Sequence, residues 1–153
     1  MNLQSLENLS SRLGAELQKN NMFFTCAESC TGGLLSQSIV SVAGSSRWFG
    51  CSFVTYSNHS KSKVLGVSKD TLNSFGAVSE EVVSEMVVGA LRESKANLGI
   101  AISGIAGPGG GTPARPVGTV CIAWKLDQAS TIRETFLFEG NLSLIHISEP
   151  TRL

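Results

Sequence analysis

The sequence predicts an α/β fold, a three-layer α/β/α sandwich around a mixed sheet, and three observations carry that expectation. Short apolar runs at 22–26, 50–56 and 98–103 read as strands and are separated by stretches with helical periodicity. A strong helical stripe (Val82, Val83, Met86, Val87, Ala90, Leu91) precedes the third of these runs. Two further strand-like runs, 117–125 and 131–138, adjoin one another across Asp127-Gln128-Ala129-Ser130 and read as a hairpin. A hairpin beside strands joined through helices calls for a sheet with both parallel and antiparallel pairs.

The elements follow in order. Leu3, Leu6, Leu9, Leu13 and Leu17 make an apolar stripe that predicts a helix over about 2–20. After the strand at 22–26, Leu34, Leu35, Ile39 and Val40 predict a helix over about 31–42, with Gly44 as its stop. The segment 45–49 reads as a turn with aromatic anchors. Beyond the strand at 50–56, Ser57 or Asn58 caps a short helix to 65, and a further helical turn over 68–75 ends at Gly76. Ser79 caps the strongest helix, and Glu80 and Glu81 in its first turn suit the positive end of the helix dipole. The segment 104–116 is a loop with five glycines and three prolines. From Leu142 to Leu153 neither a helical period nor a strand alternation is present, and Pro150 disfavours regular structure. An α/β domain ordinarily closes with a helix over its sheet, so 1–141 is expected to form the domain and 142–153 an atypical tail, from truncation or from non-native sequence.

Composition narrows the function classes. The 153 residues are 42% hydrophobic and 16% charged, which suits one compact domain and not a disordered adaptor. Lys plus Arg equals Asp plus Glu at 12 each, so the chain lacks the basic surface of a nucleic-acid binder or the polybasic arm of a membrane-surface protein. The start of the chain lacks the pattern of a signal peptide and no run reaches membrane-span length, so a soluble cytoplasmic protein is expected. Cys26, Cys30, Cys51 and Cys121 are then expected as free thiols, and no spacing with His59 or His146 suggests a metal site.

Three loops at the carboxyl ends of strands carry the candidate chemistry, because such loops share one crevice in an α/β sheet. The first places Ser29, Cys30, Thr31, Gly32 and Gly33 where a strand turns into a helix, a position rich in amide donors for an anion or a developing oxyanion. The second carries Tyr56 and Lys61, and with no usable histidine Lys61 is the candidate base for Ser29. Such a base must be a neutral amine, which burial favours. The third is the glycine-rich loop with Gly104, Gly107 and Gly109, whose backbone suits close approach to a phosphate although it matches neither the dinucleotide nor the Walker pattern. Plainer readings stand beside these. Ser29 or Thr31 is a helix cap, Lys61 and Lys63 are solvated helix charges, and Tyr56 is a strand-end anchor.

The segments Ala27 to Gly33, Ala43 to Phe49, Phe53 to Asn58 with Lys61, Gly76 to Glu80, Ser103 to Gly110 and Arg115 to Val120 together resemble the competence-damage-inducible protein C-terminal domain family (CinA type). The likeness runs to about Asn141, and from Leu142 onward the family's basic, alanine-rich closing helix has no match. The resemblance implies a three-layer α/β domain, often a homodimer, with no metal and no cofactor. It implies hydrolysis of the carboxamide of nicotinamide mononucleotide, with Ser29 as nucleophile, Lys61 as base and Tyr56 as their partner. Cys30 to Gly33 would hold the oxyanion, and either glycine-bearing loop the substrate phosphate. A catalytically silent ligand-binding or regulatory domain is the alternative, and a silent relative is expected to lose one member of the Ser29–Tyr56–Lys61 set. An interaction module in DNA uptake is a third reading, which the zero net charge disfavours.

Overall fold

A computed structural model describes residues 3–139, side chains from Ser5 onward, so the expected tail at 142–153 lies outside the described residues. The helices are α1 (Leu3–Lys19), α2 (Leu34–Val40), α3 (Asn58–Leu65), α4 (Lys69–Phe75) and α5 (Glu80–Ser94), with a 3-10 turn at Ser45–Arg47. The strands are β1 (Phe24–Glu28), β2 (Phe49–Val54), β3 (Leu98–Gly104), β4 (Thr119–Leu126) and β5 (Ile132–Leu137), in the spatial order β2-β1-β3-β4-β5. β2, β1 and β3 run parallel, and β4 and β5 complete the sheet as an antiparallel hairpin beside β3. The sheet is mixed, as the sequence predicts.

Strand alternation divides the core into two layers. Phe24 and Cys26 of β1 face α1 and α2, with Leu17, Ile39 and Trp48. Ala27 and Ala101 face the other way and pack with Leu65, Leu72, Val83, Met86 and Val87 of α3, α4 and α5. The stripe on α5 is the main anchor: Val82, Val83, Met86, Val87 and Ala90 are fully buried. At about 1.5–3 kcal/mol for each large side chain, this one helix supplies much of the hydrophobic stabilisation. Small residues set the close approaches. Gly14 lets α1 rest on the buried Trp48 ring, since a Cβ there would lie 2.5 Å from Trp48 Cε2. On β4, Trp124 packs edge-on against Phe136 of β5, with ring centroids 6.4 Å apart.

Two boundaries differ from expectation for local reasons. β1 begins and ends two residues later than the apolar run, because the Phe23 amide donates to Asn97 Oδ1 (2.8 Å) and its carbonyl accepts from the amides of Asn97 (2.9 Å) and Leu98 (3.0 Å). α2 starts at Leu34 and not near 31, because Gly32 and Gly33 take left-handed backbone angles (φ +59° and +105°) that no helix interior allows. Ser57 and Ser79 cap α3 and α5 as expected, the former in a capping box with Ser60.

Candidate active site

Ser29 follows β1 directly, and its amide donates to the Ile102 carbonyl of β3 (3.0 Å). On the other side, the Thr55 amide at the end of β2 donates to the Glu28 carbonyl (2.9 Å). The backbone on either side of the serine is thereby fastened to both neighbouring strands. Lys61 projects from the first turn of α3 into the same strand end. Its Nζ donates to Ser29 Oγ (2.9 Å), the Thr55 carbonyl (2.8 Å) and the Tyr56 carbonyl (3.3 Å). Lys61 is 1% exposed and Ser29 6%. Burial of the ammonium is what holds the Lys61 pKa below its ordinary 10.5.

Of the predicted set, Ser29 and Lys61 are brought into contact. Tyr56 reaches Lys61 through its carbonyl, whereas its ring is 76% exposed and its phenol bonds no described residue. In the turn after Ser29, Gly32 donates its amide to the Ser29 carbonyl (3.2 Å) and Gly33 to Glu28 Oε2 (3.1 Å). The amides of Cys30 and Thr31 donate to no oxygen among the described residues and are directed at the Cys30 sulfur. Burial pushes the Cys30 thiol up to about 11 and the Cys26 thiol up to about 12, so both are protonated and poor nucleophiles at neutral pH.

The glycine loop lies at the same end of the sheet. Gly104 sits against Cys30, where a Cβ would meet Cys30 Sγ at 2.9 Å, so the first and third loops touch. Gly107 and Gly110 have φ of +79° and +86°, and the amides of Gly107, Gly109, Gly110 and Gly111 bond no described acceptor. A cleft of ≈ 230 Å³ opens at the head of α5, lined among others by Ser79, Glu80, Arg115, Thr119, Cys121 and Thr135. None of Ser29, Tyr56 and Lys61 lines it. No group of His, Cys, Asp or Glu side chains suited to a metal ion occurs among the described residues. No helix among them is long and apolar enough to cross a membrane.

Two features of the site escaped the sequence reading. The carbonyls of Thr55 and Tyr56 that hold Lys61 are backbone groups and leave no residue signature. Glu28 did leave one, as the sole charged side chain between Lys19 and Arg47. A lone charge inside so apolar a stretch must be buried with partners.

Fold and pairing together define a mixed-sheet α/β domain with a buried serine–lysine contact at the carboxyl ends of its parallel strands. The chain belongs to the CinA C-terminal domain family, whose model matches residues 6–148. It is 44% identical over 147 residues to a protein of Enterobacter agglomerans named nicotinamide-nucleotide amidohydrolase PncC, covering 96% of this chain and 90% of the relative. The protein of the same name from Escherichia coli K12 is 46% identical over 136 residues, covering 89% and 82%. Among solved structures, the competence/damage inducible protein CihA of Agrobacterium tumefaciens superposes with a TM-score of 0.88 at 37% identity, over 94% of this chain and 88% of that one.

Proposed function

We propose that this chain is an amidohydrolase that converts nicotinamide mononucleotide to nicotinic acid mononucleotide and ammonia, with Ser29 as nucleophile and Lys61 as general base. The observation that carries the reading is the 2.9 Å contact between Lys61 Nζ and Ser29 Oγ in a buried setting. Similarity to proteins named for this reaction, over most of both chains, supports the substrate.

A neutral lysine amine has two N–H bonds and one lone pair. The Thr55 and Tyr56 carbonyls accept the two N–H bonds, which turns the lone pair toward the Ser29 hydroxyl. Ser29 Oγ attacks the carboxamide carbon as its proton passes to Lys61. The oxyanion that forms is stabilised by the amides of Cys30 and Thr31, since those of Gly32 and Gly33 are committed within the turn. Lys61 then returns the proton to the departing nitrogen and ammonia leaves. Water, deprotonated by the same amine, cleaves the acyl-enzyme to the acid and restores the serine. The unengaged amides from Gly107 to Gly111 receive the phosphate, and the exposed Tyr56 ring lies at the rim as a wall for the pyridine.

The test is ammonia release from nicotinamide mononucleotide by the purified chain and by Ser29→Ala. Release by the wild type and its loss by about a thousandfold or more in the folded variant is the expected result. Release that survives in Ser29→Ala removes the serine from the mechanism. A folded wild-type chain that releases none and whose Ser29 resists labelling by a fluorophosphonate is a ligand-binding domain instead.

A further inference from the structure

The buried carboxylate of Glu28 has no part in the proton transfers above, and its surroundings give it a different task. It is 0% exposed and forms no ion pair with a described cation. Its Oε1 accepts from the Ser36 amide (2.8 Å) and the Ser36 hydroxyl (2.5 Å). Its Oε2 accepts from the Thr31 hydroxyl (2.6 Å) and the amides of Gly33 and Leu35 (both 3.1 Å). Burial acts to raise its pKa, but these bonds from Ser36, Thr31 and Leu35 outweigh that effect and the pKa lies below its ordinary 4.5. Glu28 is therefore an anion held by dipoles alone.

Every one of those donors belongs to 31–36, immediately downstream of Ser29, while Glu28 itself is the last residue of β1. The carboxylate thus closes a loop around the serine, and it does so from the α2 side of the sheet, opposite the layer that contains α3 and Lys61. The amides that a substrate anion would seek at the start of α2 are already filled by the protein's own carboxylate. The amides of Cys30 and Thr31 meet only the Cys30 sulfur, a weak acceptor, and the closure fixes them relative to Ser29 Oγ. We propose that Glu28 is a positioning residue for catalysis, on the amidohydrolase reading: it locks the turn so that Ser29 Oγ and the two oxyanion-directed amides keep their relative geometry. A plain helix cap would affect folding alone, whereas a positioning group acts on the transition state at constant substrate binding.

Glu28→Gln keeps the volume but sets an NH2 group against amide donors. Steady-state ammonia release, normalised to the folded fraction by circular dichroism, is expected to show kcat lower by about 10- to 100-fold. KM should stay within about threefold, because the phosphate and ring contacts are elsewhere. The rise of kcat/KM with pH should keep its midpoint, since the Lys61 shift arises from burial with no contribution from Glu28. Ser36→Ala, which removes one hydroxyl donor only, is the milder companion should Glu28→Gln not fold, with the same pattern at about 3- to 10-fold. A second readout needs no substrate: labelling of Ser29 by a fluorophosphonate should slow in parallel with kcat. Slow labelling in the variants upholds the inference even if the wild type releases no ammonia, a result that defeats only the choice of substrate. Unchanged kcat and labelling in a folded variant overturn it. So does a shifted pH midpoint, which would make Glu28 a proton carrier.

Discussion

A lysine amine sealed from water destabilises the fold that seals it whenever it carries its charge. Lys61 is 1% exposed and its pKa is lowered from 10.5 by burial. The unfolded chain binds this proton more tightly than the folded one, so stability rises with pH between the lowered folded pKa and 10.5, and the full cost is present below that window. On the proposed mechanism activity shares the direction, because only a neutral Lys61 amine accepts the Ser29 proton: kcat/KM should climb with pH along a limb whose midpoint lies below 10.5. Lys61→Met should abolish ammonia release yet raise the melting temperature, by an amount equivalent to about 1 kcal/mol after the lost carbonyl hydrogen bonds are set against the relieved charge. A lower melting temperature in a folded variant would refute this account of the buried charge. The pairing of Ser29 with Lys61 is legible as a candidate because the serine ends a strand and no histidine is usable as its base. The role of Glu28 is not, since its six hydrogen-bond contacts form only in the folded turn, three of them within 3 Å and the amides of Gly33 and Leu35 at 3.1 Å. Tyr56 meets Lys61 through its carbonyl, a backbone group that no residue type announces.

Between elements, the α3–α5 crossing governs where Lys61 stands. α3 runs only from Asn58 to Leu65, and its last carbonyl lies against Gly89 of α5. A Cβ on Gly89 would fall 2.0 Å from the Leu65 oxygen. Alanine at a helix interior gains about 1 kcal/mol over glycine, but a backbone atom cannot swing aside as a side chain does. Gly89→Ala is therefore expected to lower stability by about 1–3 kcal/mol and to reduce activity by shifting α3 and its lysine. Chemical denaturation and ammonia release would check both, and a stabilised variant would mean the helices slide freely. The sequence marked α5 well, through its stripe and its Ser79 cap, because both signals are local. The expected start of α2 falls about three residues early, because the positive φ values of Gly32 and Gly33 are set by the turn they make.

Across the whole molecule, the order β2-β1-β3-β4-β5 joins strands far apart in the chain, and local patterns carry only part of it. The hairpin predicts that β4 and β5 are neighbours, and βαβ connections predict parallel pairs. The place of β1, between β2 and β3, follows from pairing that no local motif encodes. That placement is what sets Ser29 between Thr55 and Ile102. The two tryptophans report on opposite ends of this order. Trp48 is 1% exposed beneath α1 beside β2, while Trp124 lies on β4 against Phe136. Trp48→Phe and Trp124→Phe each leave a single emitter, one blue-shifted in a dry core and the other in a partly wet setting. If the sheet melts as one cooperative unit, the two variants should lose their native emission at coincident midpoints once each is referred to its own circular dichroism transition. Separate midpoints would reveal that the hairpin edge and the parallel strands let go at different points, and the chain would then carry, in its own indoles, a fluorescence record of which end opens first.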